Sequence, residues 1–300
     1  MTTGVLVMAY GTPATLDDVE AYYSHIRGGR TPAPELVADL RRRYEAIGGT
    51  SPLLDITRSQ VSGIQQALGD GFVVELGMKH APPFIEDGVG ALAHEGVRDI
   101  VAVVLAPHYS AMSVGEYLQR AAVAARNAAV DLVTIESWHL EPAYLNLLSD
   151  TLLSDTLLSD VVRGTAAHVL FTAHSLPARI LETGDPYPDQ LRESAEAIAK
   201  RAGIDDDRWS LAWQSAGRTP EPWLGPTVLE TLPDLAARGV TDVVICPQGF
   251  VSDHLEVLYD IDIEAKAFAD GIGISLARTP SPNDDPRLCR ALAEVIRARG

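Results

Sequence analysis

The chain has 300 residues, of which 46% are hydrophobic and 22% charged, and it carries a net charge of −17. That length predicts about two domains with well-filled cores, and the acidity argues against a nucleic-acid partner, whose phosphates need clustered Lys and Arg. Two cysteines, Cys246 and Cys289, are too few for a disulfide framework, a four-thiolate zinc site or an iron–sulfur cluster.

The first predicted element is a buried strand, Gly4-Val-Leu-Val-Met-Ala, that ends at Tyr10-Gly-Thr-Pro13. It starts too soon after Met1 for a secretory leader, and no apolar run approaches the ~20 residues of a membrane span. The expectation is a cytoplasmic protein without a transmembrane segment. Thr15 or Asp17 caps a helix that runs to about Arg27 and stops at Gly28-Gly29. Pro34 and Glu35 open a second helix, which stops at Gly48-Gly49, and Ser51-Pro52 restarts the chain into a helix over 55–68. A strand over 72–77 leads to Met78-Lys79-His80 and a helix opened by Pro82-Pro83. A strand over 99–105 leads to Ala106-Pro107-His108-Tyr109-Ser110 and a helix holding Tyr117, and a strand over 131–136 follows.

Residues 147–160 read LLSDTLLSDTLLSD, a tandem pentapeptide. Five residues advance a helix by about 140°, so the repeat presents no constant face, and it reads as a helix lengthened by slippage. A second set of units then begins with His168-Val-Leu-Phe-Thr-Ala-His174-Ser-Leu-Pro177. Its further strands are predicted over 209–214, 242–246 and about 271–276, with a final helix over about 286–299.

The two sets correspond. GVLVMAYGTP overlays HVLFTAHSLP with Tyr10 opposite His174 and proline opposite proline, and GVRDIVAVVLAPHYS answers GVTDVVICPQGFVS. Alternating strands and helices with short turns predict an α/β fold. It comprises two Rossmann-like domains, each a doubly wound parallel sheet, related by internal duplication. The first is expected over 1–138 and the second over 139–285, with helix 286–300 folding back on the first. Ligands of such sheets bind outside the carboxyl ends of the strands. Tyr10 and His174 therefore face one cleft.

Two groups of residues stand out for chemistry. His174 ends a strand and is a candidate base, since an ordinary imidazole titrates near pH ~6.5. In Asp253-His254-Leu-Glu256-Val-Leu-Tyr-Asp260-Ile-Asp-Ile-Glu264, the three carboxylates Glu256, Asp260 and Glu264 fall at i, i+4 and i+8. Such a row is either a solvated acidic face or a path for a divalent cation, which would remove the repulsion. His174 with Glu256 would hold a metal loosely, and His254 would support Glu256 or start the helix. His80 and His108 follow strands but read as structural histidines, His25 and His94 as surface residues, and Trp213 and Trp223 as core. Arg27, Arg30 and Arg43, with Tyr44, Ser51 and Tyr117, lie near segment ends in the first half. Arginine and hydroxyl groups suit carboxylates. No GxGxxG or GxxxxGK[ST] loop is present, so no nucleotide cofactor is expected.

VMAYGTP, RYEAIGGTSPL, LAPHYS, TAHSLP, GDPYPDQL, WQSAGRTPEPWLGP and GFVSDHLEVLYDID occur in this order over nearly the whole chain. Together they resemble the ferrochelatase family, most closely its coproporphyrin III form from Gram-positive bacteria. The resemblance implies a chelatase-type fold clasping a porphyrin, with ferrous iron inserted into coproporphyrin III to make coproheme in haem biosynthesis. It implies His174 and Glu256 at the metal, His174 also taking a pyrrole proton, with Asp260 and Glu264 as an outer acidic ladder. Tyr10 is implied on the opposite face of the ring, and Arg27, Arg43, Tyr44, Ser51 and Tyr117 at the ring and its propionates. Some relatives hold a [2Fe–2S] cluster on four cysteines, which two cysteines cannot supply. Transient contact with neighbouring haem-pathway enzymes is a further implication. Relatives that use protoporphyrin IX carry methionine near Tyr10, so the tyrosine favours coproporphyrin. The competing readings are a protoporphyrin IX ferrochelatase, a cobalt chelatase for sirohydrochlorin, and a haem or coproheme carrier without insertion activity.

Overall fold

The computed structural model describes residues 2–154 and 167–299. Its strands form two four-stranded parallel sheets. The first contains β1 (Thr3–Ala9), β2 (Phe72–Met78), β3 (Asp99–Val104) and β4 (Asp131–Ile135), in the order β2-β1-β3-β4. The second contains β5 (Ala167–His174), β6 (Trp209–Gln214), β7 (Asp242–Cys246) and β8 (Ser275–Arg278), in the order β6-β5-β7-β8. The same order recurs, and every pairing is parallel.

The central strands explain themselves. Val5 to Met8 in β1 and Val169 to Phe171 in β5 are fully buried, as strands covered by helices on both faces must be. One face of the first sheet packs Leu6, Met8 and Ile100 against Ile85, Val89 and Leu92 of the helix Ile85–His94. The equivalent face of the second sheet packs Leu170 and Ile245 against Leu232, Leu235 and Ile261. The remaining faces share one core, in which Val5, Val7 and Val103 join Val169, Phe171 and Val244 through Tyr144, Leu148 and Leu152.

The helix Pro286–Arg297 completes that core with Leu288, Leu292 and Ile296. Asp285 caps it by accepting from the Arg287 amide at 2.8 Å. It lies against the helix Leu53–Leu68 of the first half. Gly63 permits the close approach, because a Cβ there would lie 2.6 Å from Cys289 Sγ.

Two expectations change. The last strand is Ser275–Arg278 and not 271–276, because the helix Lys266–Gly271 runs on and Gly273 turns with φ +78. In the helix Pro142–Ser154 the pentapeptide still finds an inward face, since Leu145, Leu148 and Leu152 are buried. Leu147 and Leu148 of the first repeat both reach the core, as does Leu152 of the second. The rest of the repeat, 155–160, lies outside the described residues.

Candidate active site

The carboxyl ends of both sheets open on one cavity of about 610 Å³, within the size range of small-molecule pockets. Tyr10 to Thr12 after β1 and Leu105 and Ala106 after β3 form one wall. His174 at the end of β5, Ser215 after β6 and Gly249 to Ser252 after β7 form the other. Gly249 lets the chain cross β5 closely, since a Cβ there would come within 2.5 Å of Ala173 Cβ.

His174 and Glu256 meet on the second wall. The Nε2 of His174 stands 3.4 Å from Glu256 Oε1, and a third of each side chain remains exposed. His174 Nδ1 donates to the Ser175 carbonyl, which directs Nε2 toward Glu256. Gln214 is in register with His174 across β5 and β6, and its Nε2 donates to the Glu256 carbonyl at 2.9 Å. One residue thus ties the strand end to the segment that carries the acid. His254 holds the other oxygen, with Nε2 3.6 Å from Glu256 Oε2, and anchors itself by Nδ1 on the Ser252 carbonyl at 2.9 Å.

Burial alone would lower the His174 pKa, but Glu256, the Ser175 carbonyl and Asp260 raise it to about 9. Burial would likewise raise Glu256, yet His174 and His254 hold it well below the usual carboxylate range. Both shifts favour an imidazolium beside a carboxylate over the neutral imidazole that an ordinary histidine pKa gives.

The acidic ladder departs from a regular helix. A short helix, Leu255–Leu258, is followed by a π-helix, Asp260–Ala265, in which the Glu264 amide donates to the Tyr259 carbonyl at 2.9 Å. That i to i+5 bond widens the turn, so four residues no longer bring Glu264 back over Asp260. Glu256 and Asp260 line the cavity, whereas Glu264 is exposed and outside it. Asp260 bonds Ser215 Oγ at 2.5 Å and pairs with Arg43 at 3.3 Å across the two halves. Burial and Glu256 raise its pKa to about 6 against those two partners.

The first wall is phenolic. Tyr10 is 41% exposed to the cavity, with its ring 4.7 Å from that of His80. Tyr22 donates to the Gly11 carbonyl at 3.1 Å, and the Tyr44 hydroxyl lies 3.3 Å from Thr12 Oγ1. Burial pushes Tyr44 up to about 12 and raises Tyr10, Tyr22 and Tyr117 further, with Glu256 adding to each. These phenols keep their protons at neutral pH. Ser51 and Tyr117 complete the wall, with buried Lys79 5.0 Å from the Tyr117 ring.

The cavity thus gathers Tyr10, Arg43, Tyr44, Ser51, Tyr117, His174, Glu256 and Asp260. Arg27 does not line it; its guanidinium lies 5.9 Å from the Tyr23 ring and its Nε is buried without a partner. Trp213 is core, but Trp223 lines the cavity 6.4 Å from His174. His108 reaches the cavity with its Nε2 held by Ser194 at 2.8 Å, while exposed His25 pairs its Nδ1 with that of His80 at 3.0 Å. Sequence reasoning passed over Lys79, Tyr22, Arg179 and Arg218. Lys79 was findable, since it follows β2 where the other strand ends carry site residues.

Two sheets of this order with one cavity at their carboxyl ends define a protein of the chelatase fold. SirB from Bacillus subtilis with Fe3+ superposes with a TM-score of 0.61 at 15% identity, covering 99% of this chain and 95% of that one. The sirohydrochlorin chelatase SirB from Bacillus subtilis subspecies spizizenii, in complex with cobalt, gives 0.57 at 14% identity, covering 99% and 94%. At those identities the likeness is one of fold.

The chain belongs to the ferrochelatase family, whose model matches residues 2–300. It is 46% identical to the coproporphyrin III ferrochelatase of Anoxybacillus flavithermus, covering 98% of this chain and 95% of the relative. With the coproporphyrin III ferrochelatase of Bacillus subtilis it shares 45%, covering 98% and 96%. It is 42% identical to the ferrochelatase of Deinococcus radiodurans, covering 98% and 94%.

Proposed function

We propose that the protein inserts ferrous iron into coproporphyrin III, releasing two pyrrole protons for each iron gained. The observation that carries this reading is the His174–Glu256 pair, 3.4 Å apart on the wall of a porphyrin-sized cavity between the sheets. Close relatives that bear the coproporphyrin name support the choice of ring.

In this reading the ring enters between the phenolic wall and the His174 wall. Tyr10 faces the side of the macrocycle opposite His174, and Arg43, Tyr44, Ser51 and Tyr117 meet the ring and its carboxylates. Arg27, outside the cavity, contributes at most to its rim. Glu256 and Asp260 receive iron; Glu264 marks where a cation arrives from solvent. The two halves join near residues 138 and 139. No iron–sulfur cluster and no nucleotide enters the reaction.

The charge state of the pair gives the steps an order. The His174 proton and a divalent cation compete for Glu256, because a metal ligand must give up its proton partner. Iron at Glu256 therefore sends the His174 proton to solvent and leaves the imidazole neutral, the form that accepts the two pyrrole protons in turn through Nε2 and returns each to water. A planar ring hides its nitrogen lone pairs, so the closed cavity must hold it bent, at the expense of binding energy from the carboxylates. Base, cation and bent ring then stand together.

The test offers the purified protein ferrous iron anaerobically, with coproporphyrin III and protoporphyrin IX in parallel, following the Soret band. Preferential turnover of coproporphyrin is expected. Preference for protoporphyrin would overturn the ring assignment, and binding without insertion would overturn the activity.

A further inference from the structure

Among the described residues, four Lys or Arg side chains line the cavity, and each already has a carboxylate. Arg43 holds Asp39 at 3.2 Å and Asp260 at 3.3 Å, and Arg218 holds Asp39 at 2.6 Å. Lys79 pairs with Glu116, and Arg179 with Glu221. A ring bearing several carboxylates therefore enters a site whose cations are taken. Ion pairs with the ring therefore compete with these internal acids.

The displaced acids differ in what they have left. Asp39 keeps Arg42 at 2.6 Å as well as Arg218. Glu116 and Glu221 are 49% and 34% exposed and turn to water. Asp260 is only 12% exposed, and without Arg43 its remaining partner is the neutral Ser215 hydroxyl. It is also the one acid of this set that stands near Glu256 on the same wall. An unpaired Asp260 beside Glu256 is a place that a divalent cation would fill, since oxygen ligands with excess negative charge suit such ions.

We propose that Arg43 couples the two substrates: a ring carboxylate that draws Arg43 off Asp260 uncovers this acid and tightens the site for the divalent cation. The inference rests on the porphyrin reading above. Because coupling is reciprocal, the cation tightens the ring by the same factor. The empty cavity thus keeps its acids covered, and the ring's arrival opens the cation site next to the base.

The probe is Mn2+, followed by the EPR signal of the free ion, with nickel coproporphyrin III as a ring whose filled centre prevents insertion. In the unaltered protein, saturating nickel coproporphyrin should tighten Mn2+ by about ten-fold. In Arg43→Gln, Mn2+ should bind tightly with or without the ring, so the gain disappears. In Asp260→Asn, Mn2+ should bind weakly in both conditions. An equal gain in Arg43→Gln would mean that the ring's own charge attracts the cation, which overturns the coupling, as would no gain in the unaltered protein. Failure of nickel coproporphyrin to bind at all, read from its Soret band, would instead overturn the porphyrin reading.

Discussion

The two sheets share one strand order, yet the strand ends they bring to the cavity differ in charge. The end of β1 and its neighbours contribute Tyr10, Tyr22, Tyr44 and Tyr117, phenols that are neutral at physiological pH. The end of β5 and its neighbours contribute His174, Glu256 and Asp260, a proton carrier and two acids within reach of one another. Duplication supplied two equal frames, and side-chain chemistry at equivalent positions separated their tasks. In the proposed reaction the first wall meets the face of the ring and the second handles its protons and the cation.

The comparison breaks most readily at Glu256. Glu256→Gln should lower turnover by about 10²–10⁴-fold, while coproporphyrin still binds by absorbance titration. In the same variant the His174 pKa should fall from about 9 toward its ordinary value, because the largest force raising it is gone. An NMR pH titration of the imidazole reads this directly.

The two ends of β5 carry histidines of opposite behaviour. His168 is the second residue of the strand, with Nε2 2.9 Å from Ser210 Oγ, and burial together with Arg238 and Arg208 lowers its pKa to about 4. Its folded-state pKa thus lies below the unfolded value of about 6.5. Between pH 6.5 and 4 the unfolded chain takes up a proton that the folded chain refuses, so stability is lost on acidification. His168→Gln should remove on the order of 2–3 kcal/mol of that loss, seen as a flatter dependence of Tm on pH across this window. The smallest effect is expected at the phenolic wall. Tyr10→Phe should change turnover by less than about ten-fold, since a phenol that keeps its proton moves none. A larger loss, measured in the same iron assay, would give the first wall a share in the proton chemistry.

Much of this arrangement was legible in the chain. Unbroken apolar runs ended by Gly or Pro marked β1 and β5, and the repeated pattern set Tyr10 opposite His174. Period and breaker residues carry that information locally. What the sequence hid depends on contacts between distant segments. Asp260 looked like one step of a bare acidic row, but Arg43, 217 residues earlier, and Ser215 both reach it. Glu264 left the row because the chain widens into a π turn, which no spacing rule marks. Arg27 shares its segment with cavity residues, yet its side chain turns toward Tyr23. Trp223 read as core, although its ring borders the cavity near His174.

In the proposed reaction His174, set against Glu256, accepts the ring proton as iron enters. The most direct measurement is single-turnover iron insertion by His174→Ala with coproporphyrin III, with and without added imidazole. Insertion should be lost while ring binding persists, and imidazole should restore part of the rate, rising with its neutral fraction as pH increases. Undiminished insertion by the variant would contradict the assignment.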